Sequence, residues 1–274
     1  VNPPSLKSFA DPVEAVLTSR KYRDLNIPVE TAQELYDSAV SSGQSPKEAE
    51  KTLKQKLHNI VAPYLGDPDF TEAAGQMENA FSGGDSTRIR EFCLKMLNSH
   101  ASTRERVEIL PEFYARIFEL TGIPGSIFDL AAGMNPFSLP WMSLGVGSRY
   151  SAYDLNQPRI NLVRKFLSLS GREPLAFHRD ILIHPPEEKA DMALLFKEAH
   201  RMEQRQRGST RKLIEAVNVA WFLLSLPTSS LQGKYDLTSR QRNLVQTIVA
   251  GSTLQVFEVP YKNELVFCIH KVPR

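Results

Sequence analysis

The 274-residue chain has no apolar run approaching the roughly 20 residues that a membrane-crossing helix needs. It opens Val1-Asn-Pro-Pro-Ser5, with no basic region followed by an apolar stretch, so no signal peptide is expected. Only two cysteines occur, Cys93 and Cys268, far apart in sequence. They are expected as buried thiols rather than a bridge, which fits a reducing cytoplasm. Two cysteines cannot build a Cys-rich zinc site, and the six histidines fall at no metal-ligand spacing, so no metal is expected. The chain lacks the Gly-x-Ser-x-Gly elbow of many serine hydrolases. It also lacks Gly-x-Gly-x-x-Gly, the pattern that lets a pyrophosphate approach the backbone. There is no internal repeat and no low-complexity segment.

What is there is ordinary in bulk. The chain is 42% hydrophobic and 23% charged, which is the range of globular proteins, and its length allows one large domain or two small ones. Net charge is +2 and unevenly spread. Residues 1–104 carry 12 Lys+Arg against 14 Asp+Glu, and residues 105–274 carry 21 against 17. The basic excess concentrates in Lys197, Arg201, Arg205, Arg207, Arg211 and Lys212, interrupted by only two acids, Glu198 and Glu203. Such a run is usually a solvated helix face, but its density also suits a phosphate backbone.

The first hundred residues read as helical. Apolar residues recur at three- and four-residue steps over 13–21, 29–41, 46–65, 69–82 and 87–99. Breaks fall at Pro28, at Gly43, at Gly66-Asp67-Pro68 and at Gly83-Gly84. Ser45-Pro46-Lys47-Glu48 has the order of a capping box, with Ser45 as cap and Glu48 three residues on. From Arg106 the pattern changes. After a helix over 109–120, short apolar runs at 126–130, 150–154, 175–179, 191–196, 219–226, 254–259 and 264–271 alternate with helical stretches. That predicts an α/β doubly wound sheet. The last two runs are joined only by 260–263, a hairpin, and a mostly parallel sheet closed by a hairpin is the Class I (Rossmann-like) methyltransferase arrangement. The expected division is a helical domain over 1–104 and a sheet domain over 105–274.

The most informative segment is Ile127-Phe-Asp129-Leu-Ala131-Ala132-Gly133-Met134-Asn135-Pro136. An apolar strand breaks here into a narrow turn with a single glycine. Such a turn accommodates a nucleotide-like ligand, and without the pyrophosphate fingerprint an adenosyl ligand lacking phosphate suits it best. Asp154 ends the next apolar run at the distance usual for a ribose-binding acid. Asp180 ends the third, where it can accept from an adenine amino group while Ile181 donates its backbone N–H. An ordinary strand-to-helix turn or a solvated strand end would explain any one of these acids, but three in a row at one sheet edge are harder to call accidental. Arg106, at the joint between the halves, could grip a carboxylate bidentately, although composition alone favours a surface salt-bridged linker there. Phe196-Lys197 follows the fourth strand, where Lys197 could contact phosphate, shape the target pocket or simply reach solvent from a strand end. Met134, Phe137 and Met142 read as core or pocket lining.

These residues, with His100-Ala-Ser-Thr-Arg-Glu-Arg106, Glu112-Phe-Tyr114, Pro140-Trp141-Met142, Gln206-Arg207-Gly208, Leu226-Pro-Thr228 and Asn263-Glu264-Leu265, resemble the aminoglycoside-resistance 16S rRNA (guanine(1405)-N(7))-methyltransferases. The similarity runs through nearly the whole chain in order. It implies S-adenosyl-L-methionine as cofactor, bound by Arg106, Asp129, Ala131, Gly133, Asp154, Leu155, Asp180, Ile181 and Phe196. It implies 16S rRNA of the 30S subunit as target, met by Lys21, Lys54 and Lys56 on the helical domain and by Arg201, Arg205 and Arg207 beside the target nucleotide. Lys197 would position the base, with no general base needed because guanine N7 carries a free lone pair. A cytoplasmic monomer is implied as well. Departures from the family pattern are Ala132, where cysteine is usual, Glu198-Ala-His200, where the family is more apolar, and Ser229, where members carry a basic residue. Alternatives are a methyltransferase acting on another RNA or a small molecule, or a non-catalytic RNA-binding homologue.

Overall fold

The computed structural model describes residues 11–61, 67–229 and 235–271. The reading of the first five residues, and the end of the helix expected over 46–65, lie outside them. The chain forms two compact units, Val1–Ala62 and Pro63–Arg274.

Among its described residues the first unit contains three α-helices, α1 (Pro12–Leu17), α2 (Val29–Ser41) and α3 (Pro46–Val61). Leu35 and Ala39 on α2 and Ala49, Leu53, Leu57 and Val61 on α3 are all buried, so each helix buries one stripe at the spacing the sequence showed. The capping box forms at the start of α3. Ser45 N–H donates to Glu48 Oε2 at 2.9 Å, and Glu48 N–H donates back to Ser45 Oγ at 3.4 Å.

The second unit begins with α4 (Phe70–Phe81), α5 (Ser86–Ser99), the single turn α6 (Ala101–Arg104) and α7 (Leu110–Thr121). Then come β1 (Ser126–Leu130), β2 (Arg149–Asp154), α8 (Gln157–Leu169), β3 (Ala176–His178), β4 (Lys189–Phe196), α9 (Ala199–Arg205), α10 (Ser209–Ala216), β5 (Asn218–Pro227), α11 (Thr238–Val249), β6 (Gln255–Pro260) and β7 (Glu264–His270). All seven expected strands are present to within two residues at each end. They form one sheet in the order β3-β2-β1-β4-β5-β7-β6. Strands β1 to β5 are parallel, and β7 runs antiparallel to both β5 and β6. This is a Class I methyltransferase sheet with an antiparallel terminal hairpin.

The boundary between units falls at 62, not at the expected 104, because α4 and α5 belong to the sheet's core. Met77, Phe92, Cys93 and Met96 are buried in one cluster with Phe113, Phe137, Phe166 and the sheet residues Ile127, Ala152, Met192 and Leu194. Phe92 meets Phe137 edge-on at 5.9 Å, and Phe81 meets Phe166 at 6.1 Å. Phe128, Leu130, Ala193, Leu195, Phe222 and Leu224, one residue out of step, point to the other face and pack under α9, α10 and α11. Helical periodicity alone could not show which layer α4 and α5 cover. Both cysteines are buried free thiols, as expected. Among the described residues, no helix is long and apolar enough to cross a membrane, and no group of His, Cys, Asp and Glu could hold a metal ion.

Candidate active site

The carboxyl ends of β1, β2 and β4 lie side by side, since Asp129 pairs with Ala152 and Leu194, and Leu130 with Tyr153. The turn after β1 folds across the end of β2. Ala131 has φ +53° and Gly133 φ +55°, both in the left-handed region. At Ala131 that conformation costs a β-carbon about 1–2 kcal/mol, held by the surroundings: Ala132 N–H donates to Tyr153 O at 2.8 Å and Gly133 N–H donates to Asp154 Oδ2 at 2.9 Å. A Cβ at Gly133 would meet only Arg159 Nη1, at 4.0 Å, so the space above the turn is open and the glycine is there for its φ.

The three acids are not equivalent. Asp129, 1% exposed, accepts Tyr150 OH at 2.5 Å and Asn135 Nδ2 at 3.1 Å on the same oxygen. Burial pushes its carboxyl up to about 7, against those two hydrogen bonds and the positive charge of Arg106. It ties the turn to β2. Asp154, 4% exposed, accepts Gly133 N–H and Arg159 Nη1 on Oδ2 and Asn156 N–H, at 2.9 Å, on Oδ1. Beside it, Leu155 O lies 3.0 Å from His178 Nε2. Asp180, 2% exposed, accepts Leu182 N–H at 3.0 Å and Arg205 Nη1 at 2.6 Å, with buried Ile181 next to it.

The other half of the site is an ionic chain, buried except at Glu105, whose side chain is 41% exposed. Arg106 donates through Nε and Nη2 to both oxygens of Glu264, at 2.7–3.1 Å, and through Nη1 to Asn135 Oδ1 at 3.2 Å. Its guanidinium lies 4.4 Å from the Phe196 ring centre and 5.0 Å from that of Phe113. Burial alone would raise the Glu264 carboxyl, but Arg106 and Lys197 outweigh it and hold it below the usual range. Lys197 is 6% exposed and stands at φ +60°. Its Nζ donates to Glu105 Oε2 at 2.5 Å and lies 3.4 Å from Glu264 Oε2. Two cations and two carboxylates thus neutralise one another at the end of β4.

Of the expected site residues, this unit brings together Arg106, Asp129, Ala131, Gly133, Asp154, Leu155, Asp180, Ile181, Phe196 and Lys197. Arg205 departs from its expected role. Its side chain is 7% exposed and ion-paired to Asp180, so it is withdrawn from a docking surface. Arg207 is exposed, and half-buried Arg201 pairs with Glu198 at 2.9 Å. In the first unit, Lys21 Nζ lies 2.9 Å from His58 Nδ1, Lys54 pairs with Glu50 at 2.5 Å, and Lys56 is half-buried. Reading by sequence placed Asn135, Glu105 and Glu264 in its motifs without assigning them a role, and missed Arg159 and Asp67 as site residues. Two had a signal. Glu264 is an acid heading an otherwise apolar strand. Arg159 stands three and four residues before Leu162 and Val163, on the buried stripe of α8.

The ribosomal RNA methyltransferase (FmrO) family matches residues 18–252. A 16S rRNA (guanine(1405)-N(7))-methyltransferase of Micromonospora rosea is 30% identical over 263 residues, covering 94% of this chain and 95% of the relative. The enzyme of the same name from Proteus mirabilis is 28% identical over 273 residues, with 94% and 95% covered. Among solved structures, an rRNA methylase from Escherichia coli superposes with TM-score 0.73 at 26% identity, covering 96% of this chain and 99% of that one. The 16S rRNA methylase RmtB superposes with TM-score 0.75 at 24% identity, covering 96% and 98%.

Proposed function

The chain belongs to the ribosomal RNA methyltransferase (FmrO) family, and from that premise we propose that it methylates N7 of guanine 1405 in 16S rRNA, with S-adenosylmethionine as donor and the 30S subunit as the form of the target it meets. The observation that carries this reading is the Gly133–Asp154 contact, which sets a single-glycine turn over a buried strand-end carboxylate at the switch point of the sheet.

The donor set fits an adenosyl ligand without phosphates. It offers carboxylate acceptors at the ends of β2 and β3, an open glycine on the turn after β1 and no run of glycines for a pyrophosphate. In this reading Asp154 accepts from the ribose hydroxyls and Asp180 from the adenine amino group, with the Ile181 N–H donating to the ring. Ala131, Leu155 and Phe196 line the site, and Gly133 packs on the methionine part. Arg106 has committed Nε and Nη2 to Glu264, which leaves Nη1, now on Asn135, as the donor that a methionine carboxylate would draw on. Asp129 acts by holding the turn.

The cofactor supplies an electrophilic methyl group. Guanine N7 has an unprotonated lone pair at neutral pH, so the chain's task is to align the base and exclude competing nucleophiles. Lys197 serves as a positioning cation, fixed by Glu105 and Glu264. A base within folded rRNA has to leave its stack to reach this sheet edge. Lys21, Lys54 and Lys56 on the first unit and Arg201 and Arg207 on the second supply phosphate contacts, while Arg205 serves the adenine side through Asp180. A ribosomal target places the enzyme in the cytoplasm, and we take the monomer as the working unit.

The test is methyl transfer to purified 30S subunits, with mass spectrometry of 16S rRNA fragments. N7 methylation at guanine 1405, and raised tolerance of expressing cells to gentamicin and kanamycin, are expected. Transfer to another RNA or to a small molecule, with 30S subunits unmodified, would overturn the assignment.

A further inference from the structure

We infer that Arg159 and Asp67 are positioning residues for the cofactor's ribose, acting through the carboxylate of Asp154. The inference rests on the ribose role proposed above for Asp154 and extends the site to two residues on segments that make no part of the strand-end turn.

Arg159 sits in the first turn of α8 and is 1% exposed. It bridges two acids. Nη1 donates to Asp154 Oδ2 at 3.1 Å, while Nη2 donates to Asp67 Oδ1 at 2.8 Å and Oδ2 at 2.6 Å. Asn156 closes the cluster. Its backbone N–H donates to Asp154 Oδ1 at 2.9 Å, its Oδ1 caps α8 by accepting Arg159 N–H at 3.0 Å, and its Nδ2 reaches Asp67 Oδ2 at 3.4 Å. Asp67, 8% exposed, lies in the irregular stretch just ahead of α4, 87 residues before Asp154. The order along the contacts is therefore Asp67, Arg159, Asp154, then the Gly133 N–H of the turn.

This arrangement does two things. A carboxylate accepts well from two ribose hydroxyls only if its own oxygens are held in place, and Arg159 Nη1 holds Oδ2 of Asp154 while the Asn156 N–H holds Oδ1. A flexible arginine does this well only if it is itself held. Asp67 takes both oxygens to one side of the fork and so fixes the nitrogen that faces Asp154. Burial pushes the Asp67 carboxyl up despite Arg159, and the negative charge of Asp154 adds to that. A surface helix arginine would need none of this. Arg159 occupies a position on the buried face that a leucine or isoleucine would otherwise fill.

The experiment measures binding of S-adenosylhomocysteine and of its 2′,3′-dideoxyribose analogue to the full chain by calorimetry. Arg159→Lys keeps the charge and loses the fork. We expect its Kd for S-adenosylhomocysteine to rise about fivefold to tenfold, the size of one ordinary hydrogen bond, with the Kd for the dideoxy analogue changed less than about twofold. In turnover, KM for the cofactor rises and kcat at saturation holds. Should Arg159→Lys fail to fold, Asp67→Ala frees the outer side of the fork and carries the same pattern at smaller size. Equal weakening of both ligands, which general loosening of the site would give, overturns the inference, as does no weakening of either. Asp154→Asn is measured in parallel. If it leaves S-adenosylhomocysteine binding intact, the ribose role of Asp154 has failed. If it weakens binding while Arg159→Lys and Asp67→Ala do not, only the positioning role has.

Discussion

Arg106 and Glu264, 158 residues apart, meet in a bidentate ion pair in which each side chain is 2% exposed. One stands at the joint ahead of α7 and the other at the start of the last strand, so the pair ties the first part of the catalytic unit to the terminal hairpin. Its charge balance is shared with Lys197 and, through it, Glu105.

The pair sets a first prediction. Glu264→Ala leaves Arg106 buried without its carboxylate, and a buried charge stripped of its partner costs about 3–5 kcal/mol. Urea unfolding of the variant is expected to show that loss, and Arg106→Met with Glu264→Leu in one chain is expected to recover most of it. A single variant as stable as the parent would mean the pair carries no net charge balance.

Cofactor affinity provides a second prediction. Asp154→Ala removes the acceptor proposed for the ribose and is expected to raise the Kd for S-adenosylmethionine about tenfold to hundredfold, the size of one charge-assisted hydrogen bond. Arg106→Ala is expected to weaken binding as well. Calorimetry that finds the parent's affinity in Asp154→Ala would remove the acid from the binding site.

Stability should depend on pH in a particular direction. Burial pushes Asp129 and Glu198 up to about 7, against Tyr150 and Asn135 in the first case and Arg201 in the second. Unfolded, both ionise near about 4. Between those values the folded chain holds protons that the unfolded chain has released, so this contribution is fully present below about 4 and lost as pH rises through about 7. Glu198→Gln removes one titrating group. Its unfolding free energy is expected to fall less steeply between pH 5 and 8, by up to about 1 kcal/mol per pH unit. Parallel profiles for variant and parent would contradict the burial of that carboxyl.

Ribosome affinity separates the two arginines of the basic run. Arg207 is exposed, whereas Arg205 is ion-paired to Asp180. Arg207→Ala is expected to weaken 30S binding and to reduce the slope of log K against log salt by about 0.7–0.9, the value for one phosphate contact. Lys21→Ala and Lys54→Ala are expected to act in the same way. Arg205→Gln is expected to leave the salt slope alone and to weaken cofactor binding through Asp180. A lowered salt slope in Arg205→Gln would return that residue to the docking surface.

The strands and their hairpin were legible because each is a short apolar run with turn residues at both ends, and the register followed once the faces were known. Ile127 and Phe128, one residue apart, go to opposite cores as strand alternation demands. The capping box at Ser45 was legible because its partners lie three residues apart. The placement of α4 and α5 was not. Met77 and Phe92 lie on helical stripes that would bury equally well within a separate helical bundle, and only their packing against Phe137 and Phe166 assigns them to the sheet's unit.

The skeleton of the proposed site was already legible along the chain: the single-glycine turn, the acids at three strand ends, and Arg106 and Lys197 at the edge of the same unit. Those features are local, a residue type at a fixed offset from a strand end. Which charges meet was decided by the tertiary structure alone. Asp180 takes Arg205 from the basic run, Glu264 takes Arg106, and Asp67 and Asp154 share Arg159. Each of these pairs except Asp154–Arg159 joins residues at least 25 positions apart, and burial makes each pairing obligatory, since a charge withdrawn from water must find its partner wherever the fold brings one.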